Sequence, residues 1–336
     1  MKLPAVPRGF VRFQLTERIM DGMDHPALPE GYAICIAGHG SRDKDAIQEF
    51  LTLSSKFKER EPDRIVECGF LEFAEPTIEV AITNCVQDGI NNIVVIPGIL
   101  MAAGHAKNDM PSEVLAMERK FPALTIRYGR ALDLHPKILK VCSTRIETAE
   151  KTSNVDTARS DTLLMTVGQG SSDPDANSNI AKVSRMLWEG MGFGWAETSF
   201  IGVTRPLFPE ALERSLKLGF KRVIIFPYFL FTGVLVKRIY GVTDEMQARY
   251  PDIEFIKAPY LNYDSLIIDV FMERAREIPF GLQNMNCQMC KYREQVVGFE
   301  HQVGEAQSGN HRHARGIEGN HELDPDHGHS HDHSEK

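Results

Sequence analysis

The chain has no apolar run of membrane-spanning length, and its first residues lack the charged-then-apolar pattern of a leader peptide. It has no basic excess either. The formal net charge is −8, and residues 301–336 alone carry three Lys/Arg against seven Asp/Glu. A nucleic-acid partner is therefore not expected. Neither G-x-G-x-x-G nor G-x-x-x-x-G-K-[ST] occurs, which excludes the two commonest phosphate-cradling loops. Cysteine gives no disulfide framework: Cys35, Cys68, Cys85 and Cys142 are scattered through apolar-periodic segments, where a free thiol behaves as a small buried hydrophobe. These absences leave a soluble, cytoplasmic enzyme as the expectation, with no membrane partner. At 336 residues, 42% hydrophobic and 25% charged, there is material for about two domains.

What is present is an internal duplication. Gly38-His39-Gly40-Ser41, after the apolar run 32–37, reappears as Gly168-Gln169-Gly170-Ser171 after the run 162–167. The same offset of 130 residues pairs Pro76 with Pro206, Gly89 with Gly219 and Pro97 with Pro227. A repeated fold keeps what folding requires, so differences between the copies point to chemistry. At this offset His39 faces Gln169, Glu72 faces Gly202 and His105 faces Leu235. Two imidazoles and a carboxylate suit a borderline divalent cation such as Co, Fe, Ni or Zn, and all three sit in the first copy. Each taken alone is equally an ordinary loop or core residue; three coordinated differences favour a ligand set.

Short β-branched runs at 32–37, 65–70, 93–97 and 124–128 predict strands, separated by stretches with helical spacing. A polar segment, 151–160, leads to a second set at 162–167, 196–201, 222–226 and 253–257. This alternation predicts an α/β fold of two duplicated lobes, each a parallel sheet flanked by helices on both faces. The expected division is an irregular, proline-marked arm at 1–30, a first and catalytic domain at 31–150, and a degenerate second domain at 161–280. A cysteine-motif segment at 281–300 and a tail at 301–336 follow. His39, Glu72 and His105 all come at or after the ends of their strands, where open parallel sheets bind ligands, so one crevice should collect them. Beyond His105, Asn108 or Asp109 is placed to cap a helix carrying Pro111 in its first turn.

Three blocks in order, Gly38-His39-Gly40-Ser41-Arg42, then Phe70-Leu71-Glu72 with Pro76-Thr77-Ile78, then Pro97 through His105-Ala106-Lys107-Asn108-Asp109-Met110-Pro111, resemble the sirohydrochlorin chelatases. The likeness covers about residues 32–300 and is greatest to the long form, with its duplicated domain, Met-x-Cys-x-x-Cys motif and histidine-rich tail. It implies a lyase-class, ATP-independent insertion of Co2+ into sirohydrochlorin, or factor II, on the early-insertion route to cobalamin. Fe2+ insertion for siroheme is the enzyme alternative, Ni2+ fits the same donors, and a metal store or metallochaperone is the non-enzymatic reading. His39 is expected to bind metal and accept a proton, His105 to bind metal, and Glu72 to attract the cation and relay protons; either histidine could take the proton.

Leu100, Met101, Ala102, Ala103 and Gly104, mostly small, would let a planar macrocycle approach the backbone, although loop packing explains the same composition. Sirohydrochlorin is a polycarboxylate. Arg42 and Lys107, next to the two histidines, and Lys237 and Arg238, in the matching loop of the second copy, are candidate grips for it; solvated surface charge accounts for each alone equally well.

Cys287 and Cys290 form a C-x-x-C in which the resemblance implies a [4Fe-4S] cluster. Two thiolates are half of the usual ligand set, so a homodimer partner, an exogenous thiol, another residue or another protein would complete it. A redox dithiol lacks the expected thioredoxin-like setting. Eight of the twelve histidines fall between His301 and His333. His311, His313, His327, His329, His331 and His333, interleaved with Asp, Gly and Ser, predict a disordered segment that binds Co2+, Ni2+ or Zn2+ for storage or delivery.

Overall fold

A computed structural model of the chain describes residues 27–282, 285–286, 290–293 and 296–303. The first lobe holds strands β1 (Tyr32–Gly38), β2 (Val66–Phe70), β3 (Asn92–Pro97) and β4 (Thr125–Tyr128). With them come helices α1 (Lys44–Arg60), α2 (Ile78–Gln87), α3 (Met110–Lys120) and α4 (Pro136–Glu150). The second lobe repeats the set as β5 (Thr162–Gly168), β6 (Trp195–Phe200), β7 (Arg222–Pro227) and β8 (Glu254–Lys257), with α5 (Pro174–Met191), α6 (Phe208–Leu216), α7 (Val234–Arg249) and α8 (Ser265–Glu277). The fold class is the expected one: two four-stranded sheets, ordered β2-β1-β3-β4 and β6-β5-β7-β8, with every pairing parallel.

The central strands are buried on both faces, as helices on each side require; β5 is buried at every position. α1 begins where Asp43 accepts from the Asp45 amide at 3.0 Å, and α5 begins in the same way at Asp173. The outer face of the first sheet packs on α2 and α3, and that of the second on α6 and α7. Between the two sheets runs one continuous core to which Phe57, Val141, Val183 and Phe271 belong, from α1, α4, α5 and α8.

The last helix of each repeat is exchanged: α4 packs against β7 and β8 of the second sheet, and α8 against β3 of the first. Paired arginines fix the exchange. Arg145 on α4 donates to the carbonyls of Tyr260 (3.1 Å) and Leu261 (2.7 Å), and Arg274 on α8 to those of Ala131 (3.1 Å) and Leu132 (2.6 Å). These pairs lie 129 residues apart, so the offset of 130 shortens by one between β7 and β8. Among the described residues no helix is long and apolar enough to cross a membrane.

Candidate metal-binding site

With strand order β2-β1-β3-β4, β1 and β3 send their connections to opposite sides, and the gap beyond their carboxyl ends is the natural ligand site. His39 follows β1 and His105 follows β3 across that gap. Glu72 reaches it because the loop after β2 is tied to the loop after β1: the Leu71 amide donates to Gly38 O (2.8 Å) and the Glu72 amide to His39 O (3.0 Å). A Cβ at Gly40, whose φ is +96°, would stand 1.7 Å from the Glu72 carbonyl, so only glycine permits this closure. The second copy keeps the same tie, Ile201 N to Gly168 O and Gly202 N to Gln169 O, and the same glycine at 170. The glycines serve the backbone; the side chains that differ serve the site.

The ligand atoms of His39, Glu72 and His105 all lie within 4.8 Å of one another. His39 Nε2 is 3.0 Å from His105 Nε2 and 3.0 Å from Glu72 Oε1. The far side of each ring is held. His39 Nδ1 donates to the Gly40 carbonyl (3.0 Å), and His105 Nδ1 donates to Asp109 Oδ2 (2.8 Å). With both Nδ1 positions protonated, neutral rings turn their Nε2 lone pairs toward each other and toward a carboxylate. Three acceptor atoms converge, an arrangement that suits a cation or a shared proton. Metal–nitrogen bonds of about 2.0–2.1 Å at a tetrahedral angle set two nitrogens ~3.3 Å apart, so a small opening of the pair admits a metal. Burial disfavours the His39 imidazolium, but the Glu72 carboxylate and the Gly40 carbonyl outweigh it and raise its pKa above the ordinary 6.5. A proton and a metal ion therefore compete for the same Nε2 position.

His105 and Asp109 lie on a π-helical turn, His105–Asp109, that runs straight into α3. Asp109 thus makes no side-chain cap, contrary to the sequence expectation; its carboxylate orients His105 instead. The i,i+4 spacing was the available signal for this carboxylate–histidine pair. The cations also differ from expectation. Lys107 is 3% exposed, with Nζ 2.7 Å from Asp173 Oδ2 and 3.1 Å from Asp175 Oδ2. Lys237 reciprocates with Asp43 (2.7 Å) and Asp45 (2.9 Å) but is 53% exposed. Both ammoniums are engaged with the capping carboxylates of the opposite lobe and bind the lobes together, rather than standing free for a substrate.

Arg42 is exposed, its guanidinium 4.9 Å from the centre of the Phe73 ring, and Arg238 is exposed on α7. In the 100–104 loop, Met101 and Ala102 are buried, so their side chains serve packing, whereas Leu100, Ala103 and Gly104 are partly open. Behind Ala102 lies a cavity of about 320 Å3, lined also by Arg130, Asp133, Asp175 and Lys182.

Of the C-x-x-C motif, Cys290 is buried and Cys287 lies outside the described residues. Nearby, Lys291 donates to Ser172 O of the second lobe (2.9 Å), while Tyr292 faces Gly104 of the first. The expected tail ligands His311, His313, His327, His329, His331 and His333 are likewise outside the described residues.

Comparison with known proteins identifies the family. The chain is 40% identical to the sirohydrochlorin cobaltochelatase of Priestia megaterium over 262 residues, 78% of this chain and 84% of that protein. To the sirohydrochlorin ferrochelatase of Bacillus subtilis it is 29% identical, over 73% of this chain and 91% of that one. Its fold superposes on the sirohydrochlorin chelatase SirB from Bacillus subtilis subspecies spizizenii in complex with cobalt with a TM-score of 0.62 and 26% identity, covering 73% and 94% of the two chains. The CbiX family model matches twice, over residues 33–149 and 163–278, the two repeats that the internal offset delimits, and the chain belongs to the CbiX family.

Proposed function

We propose that the chain is a sirohydrochlorin cobaltochelatase, and that His39, Glu72 and His105 carry the insertion. The observation behind this is the convergence of the two Nε2 lone pairs and one carboxylate oxygen within 4.8 Å, in one of two otherwise matching lobes. Insertion replaces two pyrrole N–H protons by one divalent cation, so the site must strip the cation of water, present it to the macrocycle and accept protons. Two imidazoles and a carboxylate hold a borderline metal while leaving coordination positions for the incoming pyrrole nitrogens. As the metal passes to the macrocycle, His39 Nε2 regains its lone pair beside Glu72, in the environment that raises its proton affinity. His39 and Glu72 are the proton acceptors under this reading. Arg42 is the cation we assign to a peripheral carboxylate, with Arg238 as a second contact on the other lobe.

Cobalt is favoured over iron by the greater identity to the cobaltochelatase than to the ferrochelatase. The donors themselves accept either metal. The test is anaerobic turnover of metal-free sirohydrochlorin by the chain with and without residues 301–336, with Co2+ and Fe2+ compared. Faster Co2+ insertion that survives the truncation is expected; a chain that binds metal without turnover is a metallochaperone.

The iron–sulfur cluster and the tail's delivery role belong to the same proposal. Among the described residues no group of Cys, His, Asp or Glu gathers around Cys290 as a ligand set. Cys35, Cys68, Cys85 and Cys142 have thiols pushed up by burial, in character with core packing. Of the six cysteines, Cys287 and Cys290 are thus the pair left for a cluster, and a second copy is one source of its other ligands. Iron and acid-labile sulfide in anaerobically purified protein, lost on changing both cysteines to serine, are the expected result.

A further inference from the structure

Beside Glu72, the loop after β2 carries Phe73 with φ 63°, and at the matching point of the second lobe Val203 has φ 61°. The left-handed region is costly for any residue with a Cβ, and most costly for a β-branched one. Glycine adopts it freely, and glycine at either position would satisfy the loop. Neither side chain serves the core: Phe73 is 40% exposed and Val203 72%. Both copies therefore hold an apolar side chain in water on a strained backbone, although the second copy has none of the three metal ligands. The shared backbone belongs to the repeated loop, so what distinguishes the first copy is the aromatic side chain at 73 and its neighbours.

The ring centroid of Phe73 is 6.3 Å from that of His39, and the Arg42 guanidinium lies 4.9 Å from its face. Ring, imidazole and guanidinium make one surface at the mouth of the metal-binding cluster. A flat macrocycle that brings its central nitrogens to His39 Nε2 passes its periphery over Phe73, with a peripheral carboxylate within reach of Arg42.

We propose that Phe73 is an apolar contact for the macrocycle and that it also seats Arg42 against a substrate carboxylate. This deepens the chelatase reading and rests on it.

The test uses the full chain under anaerobic conditions, with equilibrium binding of metal-free sirohydrochlorin followed by its absorbance, Co2+ binding measured separately, and melting temperature recorded. Phe73→Gly relieves the strain and deletes the contact, and Val203→Gly makes the same backbone change in the other lobe as a control. Each should keep or raise the melting temperature and leave Co2+ affinity within about twofold. Sirohydrochlorin affinity should fall about tenfold for Phe73→Gly, the scale of a partly buried apolar side chain, and less than twofold for Val203→Gly. Phe73→Leu should restore most of the apolar contact while losing the seat for Arg42. Wild-type affinity for the macrocycle in Phe73→Gly overturns the proposal alone. If the wild-type chain itself fails to bind sirohydrochlorin, the chelatase reading falls and this proposal with it.

Discussion

The two lobes share a backbone closely enough that the same glycine, the same loop-to-loop amide ties and the same capping aspartates recur, yet among the described residues only the first gathers a set of side chains that could hold a metal ion. Gln169, Gly202 and Leu235 stand where His39, Glu72 and His105 converge. Asp109, which orients His105, lies in the π-helical turn where the offset shortens by one, so Ile239 matches the buried Met110. The site is thus a set of side chains laid on a scaffold that folds without them. Even the shared features are used unequally: Lys107 and Lys237 make reciprocal bridges, but one is sealed in the seam and the other faces water. A similar break opens the cavity behind Ala102. In the second lobe's environment Tyr260 Oη donates to Glu49 at 2.6 Å, whereas the counterparts of these two residues are Ala131 and Asn179.

The sharpest test of this division is removal of ligands on one side only. His39→Ala or His105→Ala should reduce Co2+ insertion by about a thousandfold or more, on the scale of losing a principal catalytic group, while Gln169→Ala changes it less than threefold. Comparable losses in all three, measured as kcat/KM, would place chemistry in both lobes.

Next in size is the pair of interlobe bridges. Lys107→Met leaves Asp173, 1% exposed, without its buried partner and should cost about 3–5 kcal/mol in denaturant unfolding. Lys237→Met breaks an exposed pair, screened by water, and should cost far less. Equal costs would mean the seam is not asymmetric in solution.

Asp109→Asn keeps size and removes charge, weakening the hold on the His105 tautomer. Metal affinity should fall about 10- to 100-fold, as it does when the carboxylate behind a metal-binding histidine is lost, with Ile239→Ala leaving it unchanged. Titration with Co2+, read from its visible spectrum, checks this.

The smallest effect expected concerns Asp133, which occupies a left-handed position, φ 54°, as Asn262 does in the second lobe with φ 58°. Burial raises its pKa from 3.8 to about 6, against the pull of Arg274 and Arg130. A folded-state pKa above the unfolded one favours folding fully below the unfolded value and loses that contribution as pH rises through the folded value. Between about pH 4 and 6 this group should therefore subtract on the order of 3 kcal/mol from stability. Asp133→Asn, which copies the second lobe, should flatten that part of the stability–pH curve; an unchanged slope would show that the carboxyl is better solvated than its burial implies.

Much of the molecule was legible in the sequence for a simple reason. Strand burial leaves apolar runs, glycine marks close backbone approach, and a duplication supplies its own control, so the two-lobed α/β fold and the residues 39, 72 and 105 could be read without coordinates. The partners of charged side chains could not, because a lysine's local sequence does not say which lobe's carboxylates it will meet. Asp109 read as a helix cap because the π-helical turn that redirects it depends on how the 100–104 loop packs. Phe73 gave no signal at all: a positive φ at a non-glycine residue is imposed by the loop around it, and its position beside His39 and Arg42 exists only after β1 and β2 pair.

The sequence by itself determined which residues carry ligand chemistry and that they belong to one copy, since donor identity and repeat register are properties of the chain. Tertiary structure alone decided that the terminal helices change places, that Lys107 closes the seam, and that two Nε2 atoms meet at 3.0 Å, because each depends on contacts between segments far apart in sequence.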